Sequence, residues 1–546
     1  MKSVKQKILE LQEKRRHIEL GGGIEKKEEQ HKLGKFTARE RLDLLFDESF
    51  YNELFQFATH NSTTLGMQNK DVPCDGVITA LGQINSKLVY AASQDFTVMG
   101  GSVGMMHAHK ICEMMDTALK TGAPFILIND SGGARIQEAV DSLEGYGKIF
   151  YYHTLLSGVV PQISIIAGPC AGGAVYSPAL TDFIIIVEGT GQMFIAGPQV
   201  IKAATGEIIS AEDLGGAMAQ TEQSGNAHFI AKDDEDAIRI VRNLLSYLPA
   251  NNMDDPPFSG NGELSITDNP DINTIVPDDP RESYDMFEIL NRVFDSGSIF
   301  QIHEHYAKNI ITAFARINGR VIGVIANQPL EKMGALDIDA SDKASRFIRF
   351  CNAFNIPLTS FVDVPGFMPG VEQEFGGIIR HGAKMLFSYS AATVPKITII
   401  IRKAYGGAYL AMCAKSLGAD RVAAWPTAEI AVMGAEGATN VLFKNEIKNS
   451  PDPIQKRKEM IDSYKKEFSN PYLAAARGMV DSIIEPQATR RYLSIALEAL
   501  RTKRDLRPNK KHGLIPLKEV ADNGYTILRK SLFSNRDNYF RNGNCV

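Results

Sequence analysis

Short runs of β-branched apolar residues recur at two distant places along this 546-residue chain. Ile163–Ile166 and Ile397–Ile401 are each preceded by a Val-Pro pair and lead into a Gly-Gly pair. Runs of this kind, bounded by turn residues, are typical of strands that are buried on both faces of a sheet. Helical segments follow the glycine pairs, and the alternation of strand and helix predicts an α/β fold.

The two places belong to a repeat that extends beyond the apolar runs. Pro161 and Gly172 recur 234 residues later as Pro395 and Gly406. Because a fixed offset over several landmarks is hard to obtain by chance, we infer an internal duplication. Each copy is predicted to hold a strand, a glycine-rich turn and a helix, followed by the same three elements again.

The N-terminal 45 residues show an amphipathic helical pattern that is interrupted by Gly21–Gly23. Thr37 and Glu40 have the spacing of a capping box, which predicts that a second helix begins there. We interpret residues 1–45 as a helical arm that is solvated and serves docking or oligomerisation.

A change of composition divides the rest of the chain. Residues 249–280 hold six prolines and seven acidic residues but no lysine or arginine, which is typical of a linker that runs over a surface. The predicted organisation is an N-terminal domain at 46–255, a linker at 256–280, a C-terminal domain at 281–517 and an extension at 518–546. We interpret the extension as flexible, with a helix that docks a partner as the alternative.

Composition and charge exclude several classes of protein. Apolar residues make up 44% of the chain and charged residues 23%, as in ordinary globular proteins rather than disordered or collagen-like ones. The 59 basic and 64 acidic side chains leave a net charge of −5, so no overall field favours nucleic acid. We therefore expect no nucleic-acid partner and a local site for any anionic ligand.

The chain is predicted to be cytoplasmic. Its six cysteines are spread out without a C-x-x-C pair, as in reduced intracellular proteins. Residues 154–181 carry no formal charge over 28 positions, but their prolines and glycines favour buried strands and a loop over a membrane-spanning helix. The charged N-terminus lacks the apolar core of a signal peptide.

Familiar catalytic and metal-binding motifs are missing from the sequence. It contains no G-x-S-x-G elbow, no P-loop and no H-E-x-x-H helix. The pairs His107/His109 and His303/His305 have no recognisable third ligand, so we expect no metal. Gly100–Gly104 resembles a phosphate loop only weakly, since its spacing is not that of a dinucleotide fingerprint.

Small residues at strand-to-helix turns are the strongest chemical signal. The turns are Ser131–Ala134, Ala171–Ala174 and Tyr405–Ala408. Glycine lets a ligand carbonyl approach the backbone, and the amides of a helix N-terminus then point two donors at one oxygen. The alternative is that glycine merely permits tight packing of strand on helix. Because the turn is duplicated, we favour two oxyanion holes, suited to an enolate and a second developing oxyanion.

Longer blocks around these turns carry a resemblance to a known family. The blocks are Gly34–Arg41, Ser93–Val98, Asn129–Gln137, Gly168–Ala179, Gly376–Gly382, Arg402–Tyr409 and Trp425–Gly434. Through these blocks the chain closely resembles the carboxyltransferase subunits of biotin-dependent acyl-CoA carboxylases, of the propionyl-CoA carboxylase β, methylmalonyl-CoA decarboxylase α and transcarboxylase type.

The resemblance implies a ClpP/crotonase-type fold in each half, a hexameric assembly, and an active site between one subunit's N-terminal half and a partner's C-terminal half. Acyl-CoA is expected on the N-terminal half, with the amides of Gly172 and Gly173 holding the thioester oxygen. Biotin is expected on the C-terminal half, with the amides of Gly407 and Ala408 holding its ureido oxygen. The family needs no side-chain acid or base, because carboxybiotin releases CO₂ and biotin's own nitrogen takes the α-proton.

Further residues of the three turns are expected to bind substrate. They are Ser131, Gly132, Gly133, Ala134, Ala174, Tyr405, Gly406 and Leu410. Propionyl-CoA carboxylases often have Asp at position 410 and acetyl-CoA enzymes Ile, whereas Leu410 is similar to the transcarboxylase and decarboxylase branch. One pocket residue discriminates by only about 1–3 kcal/mol, so the acyl-chain preference stays open.

The chain is expected to need partner proteins. It lacks a Met-Lys-Met biotinylation site and an ATP-binding loop, so biotin must come on a biotin carboxyl carrier with a biotin carboxylase subunit, or with the membrane subunits of a decarboxylase. Three hypotheses therefore stay open: a propionyl-CoA carboxyltransferase, a decarboxylase or transcarboxylase subunit that runs the transfer toward biotin, and a non-catalytic scaffold. Intact glycine turns in both halves argue against the scaffold.

Overall fold

The computed structural model describes residues 2–47, 51–260 and 266–517. The predicted extension at 518–546 lies outside the described residues. The described chain forms two α/β units, each built on an 8-stranded sheet.

The N-terminal arm contains three helices rather than the two predicted, namely α1 (Val4–Glu19), α2 (Ile24–Lys32) and α3 (Ala38–Leu45). The break between α1 and α2 lies at Gly22, which packs directly against Thr97. Its N–H donates to Thr97 Oγ1 at 3.0 Å, and a Cβ there would lie 1.9 Å from Thr97 O, so a side chain has no room. α3 begins with the predicted capping box of Thr37 and Glu40. Its Leu42 is fully buried, so α3 belongs to the core of the first unit rather than to a solvated arm.

The first sheet contains β1 (Tyr51–Leu54), β2 (Val77–Ile84), β3 (Lys87–Gln94), β4 (Phe125–Ser131), β5 (Gln162–Ala171), β6 (Phe183–Val187), β7 (Gln192–Phe194) and β8 (Phe229–Ala231). The order is β1-β2-β3-β4-β5-β6-β8, with β7 also paired to β5. From β3 onward neighbouring strands are parallel, so their carboxyl ends meet at one edge, where ligands bind in sheets of this class.

Helices cover this sheet and connect its strands. They are α4 (Met105–Thr121), α5 (Val140–Leu156), α6 (Tyr176–Ala179), α7 (Pro198–Thr205), α8 (Ala211–Gly215) and α9 (Asp234–Tyr247). α4 ends at Gly122, whose left-handed backbone (φ 65°) lets its N–H close the last turn on Ala118 O.

The second unit also has an 8-stranded sheet, but it contains more helices than the first. Its strands are β9 (Phe300–Ile302), β10 (Ile310–Ile317), β11 (Arg320–Asn327), β12 (Leu358–Val364), β13 (Lys396–Tyr405), β14 (Arg421–Ala424), β15 (Glu429–Ala431) and β16 (Ser482–Ile483). Its helices are α10 (Met286–Val293), α11 (Ile338–Ala353), α12 (Val371–Gly376), α13 (Ile378–Ala391), α14 (Gly406–Ala411), α15 (Ala435–Leu442), α16 (Lys444–Lys448), α17 (Pro453–Phe468), α18 (Pro471–Ala476) and α19 (Thr489–Ala499).

The second sheet repeats the topology of the first. Its order is β9-β10-β11-β12-β13-β14-β16, with β15 beside β13. A shift in strand register is also repeated. It lies between Asn129 and Ser131 in β4 and between Val362 and Val364 in β12. Equivalent residues lie 233 positions apart up to β4 and β12, and 234 apart in β5 and β13. The predicted α/β fold of two duplicated domains is confirmed.

The acidic linker lies against the second unit. Phe258 bridges to Arg320 on β11, whose guanidinium carbon lies 5.1 Å from the phenyl ring. Further along, Ile272 is buried in the core of that unit. Apolar and cation–π contacts therefore hold the described part of this segment in place.

The two units pack on each other through aromatic side chains. Phe183 of β6 lies edge to face with Phe350 of α11, their ring centroids 4.7 Å apart. The uncharged residues 154–181 supply the predicted buried strand, which is the single strand β5, and also the end of α5 and the short helix α6, which were not predicted. No helix within the described ranges is long and apolar enough to cross a membrane.

Asp182 lies at this contact between the units, immediately before β6. Its Oδ2 accepts from Gln162 N–H at 2.9 Å, but within the described residues it forms no ion pair. The corresponding Asp420 accepts from Lys396 N–H at 2.8 Å and also pairs with Lys503 Nζ at 2.8 Å. Burial raises the pKa of Asp182 to about 6, although the Arg346 guanidinium, which donates to the Asp182 backbone carbonyl at 3.3 Å, opposes this shift.

Asp182→Asn is therefore expected to stabilise the protein at neutral pH but not at acid pH. A carboxyl whose pKa is raised on folding stabilises the folded state below its ordinary pKa near 4, and this is lost as pH rises through about 6. The amide oxygen can still accept from Gln162. We expect the variant to melt about 2–4 °C above the wild type at pH 8, and this difference to shrink as the pH falls from about 6 toward 4. A difference independent of pH would contradict the assigned pKa.

Candidate active site

Each sheet delivers a central strand into a glycine turn at its carboxyl edge. β5 is followed by the 3₁₀ turn Gly172–Val175 and by α6, and β13 is followed directly by α14. Gly172 (φ 65°) and Gly406 (φ 57°) turn the chain with left-handed backbone, which a side chain would strain. The first glycine of each pair is therefore required by the backbone conformation of the turn.

The next glycine in each turn faces open space. A Cβ built on Gly173 would meet no atom within 4 Å, and one built on Gly407 would meet only Phe367 Cε2 at 3.8 Å. Both glycines are exposed, whereas the residues after them, Ala174 and Ala408, are buried. An N–H in the first turn of a helix has no acceptor within that helix. Gly173 and Gly407 thus lie where a ligand oxygen can accept from the backbone.

The two turns match in the register that the repeat predicts. β7 beside β5 and β15 beside β13 pair at equivalent points, so Gly173 corresponds to Gly407. The predicted second donors do not correspond, because Gly172 precedes its open glycine whereas Ala408 follows it. Their role as second donors stays a prediction.

The glycine-rich turn after β4 is held together by its own polar groups. Ser131 Oγ donates to Gly101 O at 2.7 Å and accepts from Gly133 N–H at 3.1 Å. Gly132 N–H donates to Gly100 O at 2.8 Å. Because these donors are already paired within the protein, this turn would contact a substrate through van der Waals packing rather than through these hydrogen-bond donors. These contacts remain a prediction.

A parallel β-bridge fixes the last residue of this turn, Ala134, and another fixes the equivalent residue of the second unit, Phe367. Val103 bridges to Ala134, and Leu336 bridges to Phe367 at the same point of the second unit. Leu336 N–H also donates to Gly366 O at 3.1 Å. Ala134 and Phe367 therefore occupy equivalent positions, the first exposed and the second half-buried.

The side chains around the two turns differ in size. Where the first unit has Ala134 and Ala171, the second has Phe367 and Tyr405. The Tyr405 hydroxyl donates to the Glu429 carboxylate, which fixes the orientation of the ring. Methyl groups thus border the turn of the first unit, and two aromatic rings border that of the second.

One exposed apolar side chain follows each open glycine by three residues. Leu410 is 38% exposed, and its counterpart Tyr176 is 48% exposed. Residues three apart on a helix are neighbours, so both lie beside the open amide. Leu410 thus lies beside Gly407, and its role as a pocket residue stays a prediction. Sequence reasoning missed Tyr176 and Phe367, although the repeat offset would have located both.

A buried charge cluster supports the turn of the first unit. Asp130, at the end of β4, is fully buried and accepts from Lys35 Nζ at 2.7 Å, Arg41 Nη1 at 2.9 Å and Gln30 Nε2 at 2.8 Å. Burial lowers the pKa of Lys35. A Cβ on Gly168 of β5 would lie 1.9 Å from Asp130 Oδ1, so this strand must carry glycine there. The arm is thereby fastened directly behind the Ser131 turn.

Asp363 holds the corresponding place at the end of β12. It accepts from Arg402 Nε at 3.0 Å and from Tyr284 Oη at 3.0 Å, and burial raises its pKa. Both carboxylates are committed to neighbouring cations and donors, and neither faces an open turn as a free base. The two turns are therefore left with backbone amides as donors, and neither Asp130 nor Asp363 serves them as a free carboxylate.

The histidine pairs do not meet further ligands in the described ranges. His107 is buried and its ring hydrogen-bonds to Asp75 O at 2.9 Å, while His109 is exposed. His303 stacks on His228 with centroids 4.0 Å apart. Within the described part of the chain no three His, Cys, Asp or Glu side chains form a metal-binding group.

Comparison with known proteins agrees with this architecture. Residues 29–515 match the family described as "Carboxyl transferase domain". The chain is 57% identical over 512 residues to the methylmalonyl-CoA decarboxylase subunit alpha of Propionigenium modestum, covering 94% of this chain and 99% of the relative. It is 51% identical to the propionyl-CoA carboxylase beta chain of Roseobacter denitrificans, covering 93% and 99%.

A solved structure gives the same result. The chain superposes on the crystal structure of transcarboxylase 12S, described as a hexamer assembly with methylmalonyl-coenzyme A and methylmalonic acid bound, with a TM-score of 0.93. The two are 55% identical over 95% of this chain and 99% of that one. The predicted pair of crotonase-like domains is confirmed.

Proposed function

The chain belongs to the carboxyl transferase domain family, and on that premise we propose that it moves a carboxyl group between carboxylated biotin on a partner protein and the α-carbon of a short acyl-CoA. The observation that carries the proposal is the pair of equivalent turns with exposed amides at Gly173 and Gly407. A reaction that passes through an enolate and a second oxyanion needs two such sites.

The first unit is the better fit for the acyl thioester. Ala134 and Ala171 leave the space beside Gly173 open, so a branched acyl group fits there. The Gly173 amide donates to the thioester oxygen and stabilises the negative charge that develops on it as the enolate forms. One donor of this kind typically accounts for about 10²–10³ in rate.

The second unit is the better fit for biotin. Phe367 and Tyr405 border the turn with aromatic rings, which suit a flat ureido ring, and the Gly407 amide can donate to the ureido oxygen. When bound, biotin supplies the carboxyl group and a nitrogen that can take the α-proton. The chain holds the ring and its oxygen in one orientation.

The proposed mechanism does not use a side chain of this protein as a proton donor or acceptor. Asp130 and Asp363 are committed to ion pairs, and the Tyr405 hydroxyl is bound to Glu429. Burial raises the pKa of Tyr405 above its usual range, so the phenol stays protonated. Catalysis is electrostatic and positional, through backbone donors aimed at developing charge.

The two turns act on one reaction only when two copies of the chain meet. The assembly is a homo-oligomer, a hexamer like the transcarboxylase 12S crystal structure, in which the first unit of one copy faces the second unit of another. Biotin arrives on a biotin carboxyl carrier or on the membrane subunits of a decarboxylase.

A decarboxylase or transcarboxylase subunit is the second candidate function. The relatives named for methylmalonyl-CoA decarboxylase and methylmalonyl-CoA carboxyltransferase are 57% and 56% identical to this chain, and Leu410 fits that branch. Propionyl-CoA carboxylase relatives at 49–53% identity favour the carboxylase direction almost as strongly. The same site chemistry serves either direction.

The purified chain should decarboxylate methylmalonyl-CoA when free biotin is added, and malonyl-CoA more slowly. In the proposed assembly the second unit of one copy faces the first unit of another, so Leu410 borders the acyl group, and Leu410→Ile should shift the ratio of the two rates toward malonyl-CoA by up to about tenfold. Leu33→Ile, at an exposed position of the arm, is the matched control. Loss of the carboxyl group is followed with each substrate, with and without biotin. A folded oligomer that is inactive even with a biotinylated carrier domain would revive the scaffold hypothesis.

A further inference from the structure

A cavity of about 720 Å³ lies between the two units. Ser157 and Gly158, which precede β5, and residues 179–183, which lead into β6, form one wall, and α11 of the second unit forms the opposite wall. The turn at Gly173 follows the other end of β5, and the 10 residues of this strand separate the two edges of the sheet by about 30 Å. The cavity therefore lies at the edge opposite the turn, and its volume is typical of a ligand pocket.

The charged groups in the lining are mostly basic. Arg346 and Arg349 of α11 both line the cavity, and within the described ranges neither pairs with a carboxylate. Arg346 Nη2 donates instead to two backbone carbonyls of the first unit, at 2.7 and 3.3 Å. Of the two carboxylates in the lining, Asp342 pairs with Lys384 Nζ at 2.8 Å, which leaves Asp182 against two guanidinium groups. The excess of positive charge favours an anion in the cavity.

A buried histidine adds a neutral donor. His228 lines the cavity, is 4% exposed, and accepts from Ile184 N–H at its Nδ1 over 3.1 Å. Burial, together with the neighbouring His303 and Arg346, keeps the pKa of His228 well below its usual range. The ring is therefore neutral, and its proton lies on Nε2. This N–H has no acceptor among the described residues, so a ligand oxygen in the cavity can accept from it.

Much of the remaining lining is apolar. The rings of Phe347 and Phe350 on α11 are buried at the cavity, and Leu180 and Leu517 beside it are 43% and 69% exposed. Covering such surface is favourable for a ligand with an apolar body and gives nothing to a small inorganic ion. The lining therefore combines donors for an oxyanion with a surface for a hydrocarbon chain.

We propose that the cavity between the two units is a binding site for an organic carboxylate with an apolar chain, which accepts hydrogen bonds from Arg346 and His228 and packs its chain on Phe347 and Phe350. His228 belongs to the first unit and Arg346 to the second, so the ligand bridges the units and stabilises their contact. Arg349 adds long-range attraction. The inference goes beyond the proposed function, because no substrate of the transfer reaction occupies this cavity.

Octanoate is the compound for the test, with the full-length oligomer. Calorimetry should show one octanoate bound per chain, and the melting temperature should rise by about 2 °C at a concentration 100 times the dissociation constant. Octanol has the chain without the charge, and inorganic phosphate has the charge without the chain, so both should bind at least about tenfold more weakly. Saturation with methylmalonyl-CoA should leave octanoate binding unchanged, whereas competition between the two would place octanoate at the glycine turns and overturn the inference.

Two variants of opposite sign locate the site. Arg346→Gln keeps a donor for the backbone carbonyls but removes the charge, and should weaken octanoate binding about tenfold or more. Asp182→Asn removes the opposing carboxylate and should tighten it about threefold at pH 8. Arg477→Gln, at an exposed arginine of the second unit, is the matched control and should bind like the wild type. Wild-type affinity in Arg346→Gln, or no binding to the folded wild type, would overturn the inference. If Arg346→Gln does not fold, unchanged affinity in Asp182→Asn has the same force.

Discussion

Gly407→Val is expected to abolish carboxyl transfer while the protein stays folded and still binds acyl-CoA. Gly407 has no left-handed backbone, and a Cβ there meets only Phe367 Cε2 at 3.8 Å, so the protein itself accommodates a side chain. The isopropyl group would instead fill the space through which a ureido oxygen reaches the amide. Since losing one donor costs about 10²–10³ in rate and here the approach itself is blocked, we expect a loss of about 10³-fold or more.

Calorimetry with methylmalonyl-CoA and the transfer assay together measure this effect. Acyl-CoA affinity should be unchanged, because the acyl group is bound by the other unit. Gly147→Val, on the exposed face of α5, is a matched control since a Cβ there also meets no atom within 4 Å. Wild-type transfer by Gly407→Val would remove the site assignment.

Asp130→Asn is expected to be the most destabilising single change proposed. The carboxylate is fully buried and pairs with Lys35 and Arg41, so the amide would leave two buried cations with one less anion between them. Breaking a buried pair from one side costs about 3–5 kcal/mol. Arg41 keeps its contact with Asp234 at 3.0 Å, which limits the loss.

Urea unfolding at constant oligomer concentration measures the change, with loss of the arm followed by limited proteolysis. Asp116→Asn is the control, because Asp116 forms a surface pair with Lys120 on α4 and such pairs contribute only about 0–1 kcal/mol. Equal shifts in the two variants would show that the Asp130 cluster does not stabilise the first unit.

The sequence predicted the fold well because its signals are local. The apolar runs of β5 and β13 and the glycine pairs that follow them are each readable within a dozen residues, and their recurrence fixed the duplication. The capping box at Thr37 was readable for the same reason. The helix between the two breaks, α2, was missed as a separate element because Ile24 is its one apolar residue and no apolar face marks it.

The site was less accessible because its decisive contacts are long-range. Nothing near Ser131 in the sequence reveals that its hydroxyl is used by Gly101 and Gly133. Phe367 is an ordinary phenylalanine until the fold brings its ring between Gly382 and Gly407. Pairing partners 89 to 100 residues apart, as around Asp130, cannot be inferred from one sequence without the structure.

The same Asp130 cluster has a consequence for synthesis of the chain. Lys35 and Arg41 leave the ribosome 95 and 89 residues ahead of the carboxylate that neutralises them. At about 5–20 residues per second, they wait on the order of 5–20 s for their counter-ion. The first segment to be translated is thus not fastened until Asp130 has followed it, and until then this segment is open to a chaperone or a protease.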